Sequence, residues 1–281
     1  MKIKSKVIQD NKIIPIHSKD NHIYWVDAED KLYIQRLSNG QYQGSNWVFA
    51  QTLINNWNRC IDVGSNNGCN AIHYAKQFNI VECFEPTQLT QQLWQNTIRD
   101  NKVSNASLYT TALSNKPYNT SIIIFKNNLG HNHLDNQYYW HSDRKRRRTR
   151  QTQSVECRTL DSHGFEDVGF IKIDVEGYEQ FVLQGAQQTI QKSRPTIQLE
   201  IVANQCRKFG YWGEDMIEWI RSWDYSVVSR KRGLLTGTFK SYRTQLLYND
   251  NYYKGEMDLW FQPNERLDVV QQLPEQWFEE K

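Results

Sequence analysis

Apolar residues fall into two rhythms along the 281-residue chain. From about residue 58 to residue 263, short and nearly continuous apolar runs alternate with stretches whose apolar positions recur every three or four residues. Such an order predicts buried strands joined by amphipathic helices. The runs predict seven strands at 59–63, 80–84, 107–111, 168–174, 196–201, 225–229 and 257–261, with helices at 68–77, 88–101, 178–191 and 214–223 between them. Helical crossovers imply a mostly parallel sheet with helices on both faces, an α/β architecture.

The remaining segments read differently. Residues 1–45 carry the alternating runs His22-Ile-Tyr-Trp-Val26 and Lys31-Leu-Tyr-Ile-Gln35 between Asp, Asn and Gly turns, which predicts an N-terminal β extension. The spacing of Trp47, Val48, Leu53, Ile54 and Trp57 predicts a helix leading into the core. Residues 120–126 and 154–158 look like an extra antiparallel pair bracketing an insertion at about 119–158. No Gly/Ser linker or repeat appears, so we expect a single domain at 46–265 that carries the N-terminal extension and ends in a tail at 266–281.

Composition narrows the class. A mean hydropathy of −0.76 and the lack of any apolar run near the roughly 20 residues of a bilayer span exclude an integral helical membrane protein. The start Met1-Lys-Ile-Lys-Ser-Lys has charge but no apolar stretch after it, so no secretory signal is read and the cytoplasm is the expected location. Cysteines at 60, 69, 83, 157 and 206 lack CxxC spacing and are odd in number, which predicts reduced thiols. A net charge of +3 is too small to define a partner for the whole chain. Six cations nevertheless crowd the eight residues Asp143-Arg-Lys-Arg-Arg-Arg-Thr-Arg150.

Candidate chemistry sits at two strand ends. In Arg59-Cys-Ile-Asp-Val-Gly-Ser-Asn-Asn-Gly68 an apolar strand runs into an acid and a glycine turn before a helix opens. Gly64 and Gly68 permit tight turning and close approach of a ligand, and Asn66 tolerates a left-handed backbone. The spacing is GxxxG rather than the GxGxxG of dinucleotide binders. Asp62 suits a cationic ligand part and so favours a sulfonium amino acid over a pyrophosphate. Glu85 ends the second strand, where an acid can accept hydrogen bonds from ribose hydroxyls. The second strand end, Phe170-Ile-Lys-Ile-Asp-Val-Glu-Gly-Tyr-Glu179, sets Asp174 and Glu176 at a carboxyl end, the usual ligand side of an open α/β sheet.

These two motifs, with Phe84-Glu-Pro86, Ala112-Leu-Ser114, Arg158-Thr-Leu-Asp161, Val182-Leu-Gln-Gly-Ala186 and Pro195-Thr-Ile-Gln-Leu-Glu200, resemble the FkbM family of methyltransferases over roughly residues 58–202. The resemblance implies a Rossmann-like class I methyltransferase fold, S-adenosylmethionine as cofactor, and O-methylation of a hydroxyl on a sugar or sugar-derived acceptor. By position, Asp62, Gly64, Asn66 and Gly68 would surround the methionine part, Glu85 the ribose, and Ala112 and Leu113 the adenine. Ser65 and Pro86 fall in the same motifs and join the cofactor set, as does Asp174.

Methyl transfer is an in-line displacement that depends on alignment, and a hydroxyl acceptor must also lose a proton. Glu176, Asp174, His131 and His133 are the candidate bases, the carboxylates ahead of the insertion histidines. No metal is expected. The alternatives weighed are His131-Asn-His-Leu-Asp135 and a magnesium ion on Asp174 and Glu200. The cations between Arg144 and Arg150, near Tyr138, Tyr139 and Trp140, leave three readings open: a solvated insertion, a clamp for an acidic or phosphorylated ligand, and an RNA methyltransferase surface. A nicotinamide dehydrogenase fits less well because GxGxxG is missing, and an inactive binding module would need Asp62 and Glu85 to serve no cofactor. Aromatic residues between Trp212 and Tyr225 are candidates for an acceptor pocket, and Leu273-Pro-Glu-Gln-Trp-Phe278 for a docking tail.

Overall fold

The computed structural model describes residues 12–40, 44–125, 128–135, 151–228 and 256–272. The basic run, Tyr138 to Trp140 and the segment Leu273-Pro-Glu-Gln-Trp-Phe278 lie outside the described residues.

The chain opens on a hairpin of β1 (Ile13–His17) and β2 (Ile23–Asp27), with Ile16 opposite Tyr24. It does not continue as strand. Residues Lys31–Ser38 form helix α1, contrary to the expected strand at 31–35. Asp30 caps the helix by accepting from the Tyr33 amide at 3.0 Å. Tyr33, Ile34 and Leu37 then recur at helical spacing toward the core. Helix α2 (Gly44–Leu53) buries Phe49, Ala50 and Leu53.

The body follows as β3 (Arg59–Val63), α3 (Cys69–Ala75), β4 (Ile80–Phe84), α4 (Gln88–Asp100) and β5 (Ala106–Tyr109). A second sheet intervenes, built from β6 (Ala112–Leu113), β7 (Tyr118–Ile124), β8 (His133–Leu134) and β9 (Gln151–Arg158) in the order β6-β9-β7-β8. The expected antiparallel pair is its centre, with Ser121 opposite Ser154. Then come β10 (Val168–Ile173), α5 (Glu179–Gln184), α6 (Gln187–Ser193), β11 (Thr196–Val202), α7 (Ala203–Lys208), α8 (Gly213–Arg221), β12 (Tyr225–Val228) and β13 (Glu256–Pro263). The helix expected over 178–191 is two helices, broken at Gly185, where an added Cβ would stand 2.0 Å from the Ser114 carbonyl oxygen.

Seven strands form the main sheet in the order β12-β13-β11-β10-β3-β4-β5. The pairs from β11 through β5 are parallel, while β13 runs antiparallel to both β11 and β12. Strand alternation divides the interior in two. Ile61, Val63, Ile171, Ile173, Ile197 and Leu199 pack on one face with α5, α6 and α8. Cys60, Val81, Cys83, Phe170 and Trp260 pack on the other with α2, α3, α4 and the N-terminal hairpin. The hairpin is tied to α4 by the Trp25 amide on Thr97 Oγ1 at 2.9 Å and the Trp25 indole on Asp100 at 2.7 Å. Among the described residues, no helix is long and apolar enough to cross a membrane.

Candidate active site

From β3 the chain moves outward to β4 and β5, then returns to lay β10 along the other edge of β3. That reversal opens a crevice at the carboxyl ends of β3 and β10, where open α/β sheets hold their ligands. The Asp174 amide continues the ladder past β10 by donating to the Val63 carbonyl at 3.0 Å. Gly64 makes this closeness possible: its φ is +83°, and an added Cβ would stand 1.9 Å from the Asp174 carbonyl oxygen.

Asp62, one residue before the turn, is fully buried; neither carboxylate oxygen makes a hydrogen bond of good geometry, though the Ser65 side chain is near enough to act on it. Burial pushes its pKa up, with Lys172 opposing. Lys172 stands opposite Asp62 in the β3–β10 register and donates to Asp174 Oδ2 at 2.9 Å. Desolvation works against the lysine charge, yet Asp174, Asp62 and Glu200 outweigh it and raise the pKa of the ammonium. Asp174 in turn is held below the ordinary carboxylate range: burial raises it, and the Lys172 charge, hydrogen bonds with Glu200 and Lys172, and the nearby His131 together more than offset that.

Asn66 adopts φ +50° and donates its amide to Glu85 Oε2 at 3.1 Å; the Thr87 amide donates to Glu85 Oε1 at 2.9 Å. Glu85 thus clasps the glycine turn from the end of β4, buried, its pKa raised by desolvation. Ser65 accepts from the Trp94 indole at 3.1 Å, and the Trp94 ring lies against Gly68. Ala112 and Leu113 are buried in β6, paired with Cys157 and Arg158. Pro86 accepts from the Gln153 amide nitrogen at 2.8 Å, which brings β9 to the mouth.

Asp174, Glu176 and Glu200 offer carboxylate oxygens within 4.8 Å of one another. Glu176 has φ +59°, and its carboxylate accepts from the Gln205 side chain. Gly177 follows at φ +99°, where an added Cβ would stand 2.7 Å from Gln205 Cβ. Glu179 closes this loop from below: its Oε1 accepts from the Val175 and Gly177 amides, both at 3.1 Å. Burial pushes the Glu179 carboxyl up to about 7. His131 lies close enough for its charge to bear on Asp174, and its turn approaches Asn66. His133 instead packs against Phe125 and Phe209, with Nδ1 3.0 Å from the His131 carbonyl.

The family profile described as the methyltransferase FkbM domain matches residues 62–227, more than half of the chain. The chain belongs to the FkbM methyltransferase family. No curated protein matches it. An FkbM methyltransferase from Methylobacillus flagellatus KT aligns at 15% identity and a TM-score of 0.44, over 83% of this chain and 55% of that one. The chain therefore spans little more than half the length of that relative. An rRNA methylase from Streptococcus thermophilus aligns at 8% identity and TM-score 0.44, over 78% and 93% of the two chains. TYW2 of M. jannaschii, solved with AdoMet, aligns at 10% identity and TM-score 0.40, over 91% and 86%.

As an FkbM methyltransferase the chain has a class I fold and uses S-adenosylmethionine. Its own residues fit that cofactor. The carboxylate oxygens of Asp62 are acceptors of the kind an ammonium group needs, and Gly64 lets the turn beside them pack directly on the Asp174 backbone. Lys172, Glu179 and Gln205 were given no role from sequence. A lysine in the middle of an apolar strand was the legible signal for the first. The other two depend on contacts that only the folded loop creates.

Proposed function

We propose that this FkbM methyltransferase O-methylates a hydroxyl of a sugar or sugar-derived acceptor, with Asp174 or Glu176 as general base. The observation that carries the proposal is the convergence of Asp174, Glu176 and Glu200 at the carboxyl ends of β10 and β11, beside the cofactor turn. A hydroxyl is a poor nucleophile until its proton is taken, and a carboxylate within hydrogen-bond reach can accept it. S-adenosylmethionine, when bound, supplies an electrophilic methyl group on a sulfonium centre. Asp62 would receive the cofactor's ammonium and Glu85 its ribose hydroxyls, while Gly64, Ser65, Asn66 and Gly68 line the turn and Ala112, Leu113 and Pro86 its adenine side. Lys172 holds Asp174 ionised and oriented, so its proton affinity is set by a buried cation rather than by bulk water. His131 lies near Asp174 and is the second candidate for moving the acceptor proton. The five cysteines are all buried and unpaired, which supports residence in a reducing compartment, the cytoplasm.

The test begins with calorimetric titration of S-adenosylmethionine and S-adenosylhomocysteine into wild type and Glu85→Ala. Transfer of labelled methyl is then measured to monosaccharides, nucleotide sugars and generic RNA. Binding weakened in Glu85→Ala, with label on a sugar oxygen and transfer suppressed in Asp174→Asn or Glu176→Gln, is expected. Label on RNA or on an acceptor nitrogen would overturn the acceptor assignment.

A further inference from the structure

A second cluster of ligating side chains lies outside the cofactor crevice, where the N-terminal hairpin meets α3. We propose that Asp20, His22 and His73 form a binding site for a zinc-class divalent ion that staples the hairpin to the methyltransferase body. Asp20 and His22 sit in the turn between β1 and β2, and His73 projects from α3, some fifty residues away in sequence.

Each of the three offers one ligand atom, and those atoms lie within 4.8 Å of one another. Asp20 Oδ2 is 3.0 Å from His22 Nδ1 and 3.7 Å from His73 Nε2. Two imidazoles and one carboxylate make an N/O donor set that zinc accepts, with bonds of about 2.0–2.2 Å to each. His22 Nδ1 supplies a separate observation. It is buried and makes no hydrogen bond of acceptable geometry, although the Asp20 oxygen is near. With the Lys76 ammonium donating to Nε2, Nδ1 carries the ring proton toward Asp20, and a cation held there would take the place of that proton. The two imidazole rings stand edge to face with centroids 5.1 Å apart, and His22 Nδ1 and His73 Nε2 both face the Asp20 carboxylate.

The fourth position has somewhere to open. Asp20 and His73 line a small cavity together with Tyr24, Leu37, Gly40 and Cys69, of a size for one water molecule. A water there would complete a tetrahedral set, and the Cys69 thiol is on the same wall. Tyr24 donates its hydroxyl to Asp20 Oδ2 at 2.8 Å and lies 3.3 Å from His73 Nε2, so it orients both ligands. The opposing charge is Lys76, 2.7 Å from His22 Nε2. Lys76 is exposed at the end of α3, so metal binding through Nδ1, with the ring proton on Nε2, requires its side chain to swing away into solvent.

Cobalt(II) titration of the chelator-stripped full chain tests this directly. Strong visible bands of a tetrahedral cobalt site, saturating at one equivalent and bleached by zinc, are expected, as is their loss in His73→Ala and His22→Ala. Zinc should also raise the Tm of the wild type and leave that of either variant unchanged. Absence of bands in the wild type at excess cobalt would overturn the proposal on its own, so it does not depend on the variants folding. Weak octahedral bands, as carboxylates alone would give at Asp174, Glu176 and Glu200, would overturn it too. So would variants that titrate like the wild type.

Discussion

Replacing Lys172 with methionine removes the buried cation that faces Asp62 and Asp174 in the candidate active site. The Lys172 side chain is 3% exposed, donates to Asp174 at 2.9 Å and faces Asp62 across the β3–β10 register. Methionine retains most of the apolar stem, so packing changes little. What changes is that Asp62 and Asp174, with Glu200 near them, lose their counter-charge. Breaking a buried pair by deleting one partner costs about 3–5 kcal/mol, a fall in Tm on the order of 10 °C for a chain of this size. The loss has a pH signature. In the wild type the Asp174 pKa is depressed below 3.8, so its contribution is present above that value and is lost as pH falls through the depressed pKa. Without the lysine, burial dominates and raises the carboxyl, reversing the sign: the variant recovers stability relative to wild type as pH falls from 8 toward the carboxylate range. Urea denaturation at several pH values measures both quantities, and adding Asp174→Asn should restore part of the loss. A loss below about 1 kcal/mol, equal at every pH, would refute the view that Lys172 compensates buried carboxylates.

Three further outcomes follow from the same geometry. Gly64→Ala should cost at least the roughly 1–2 kcal/mol of a left-handed non-glycine backbone and weaken S-adenosylmethionine binding, since its Cβ must displace the Asp174 carbonyl now 1.9 Å away; thermal shift with and without cofactor measures both. Glu85→Ala removes the acceptor of the Asn66 and Thr87 amides, and hydrogen bonds to charged groups of about 1.5–3 kcal/mol predict a calorimetric Kd about 10- to 100-fold weaker. Glu179, raised from 4.5 to about 7, contributes stability that is full below its unfolded pKa and lost as pH rises through 7. On the order of 3 kcal/mol of pH dependence should therefore be absent from Glu179→Gln in denaturation between pH 4.5 and 8, and an unchanged slope would place the titrating group elsewhere.

The main sheet was legible because its strands are buried on both faces and punctuated by turns. Residues 59–63 and 80–84 were delimited as the structure has them, since Gly64 and Pro86 break the apolar runs sharply. Where alternation was over-read, at 31–35, a capping aspartate and the Tyr33-Leu37 spacing decide for helix. Two-residue strands such as Ala112–Leu113 and His133–Leu134 have no periodicity to detect, so only the central pair of the second sheet was visible. The short α7 was likewise missed; it begins directly after β11 with no cap signal. The split of 178–191 depends on Ser114 crowding Gly185, a contact from 71 residues earlier that no local rule contains.

The site shows the same division between motif and support. Its motif residues lie where strand ends place them, yet two of them, Asn66 and Glu176, are non-glycine residues at positive φ. A left-handed glutamate is costly, on the order of 1 kcal/mol or more, and persists only where its surroundings over-determine it. Those surroundings are present: Glu179 takes the amides on both sides of Glu176, Gly177 lets Gln205 close in, and the Tyr211 hydroxyl lies 2.9 Å from the Gly177 carbonyl. On the facing loop, Glu85 fixes the amide of Asn66. Each strained residue is therefore held by a neighbouring acid that accepts backbone amides of its loop. The arrangement explains why the second acidic motif is so dense. In the proposed reaction Asp174 and Glu176 would act on the acceptor, while Glu179, the third acid of the run, keeps the loop in shape.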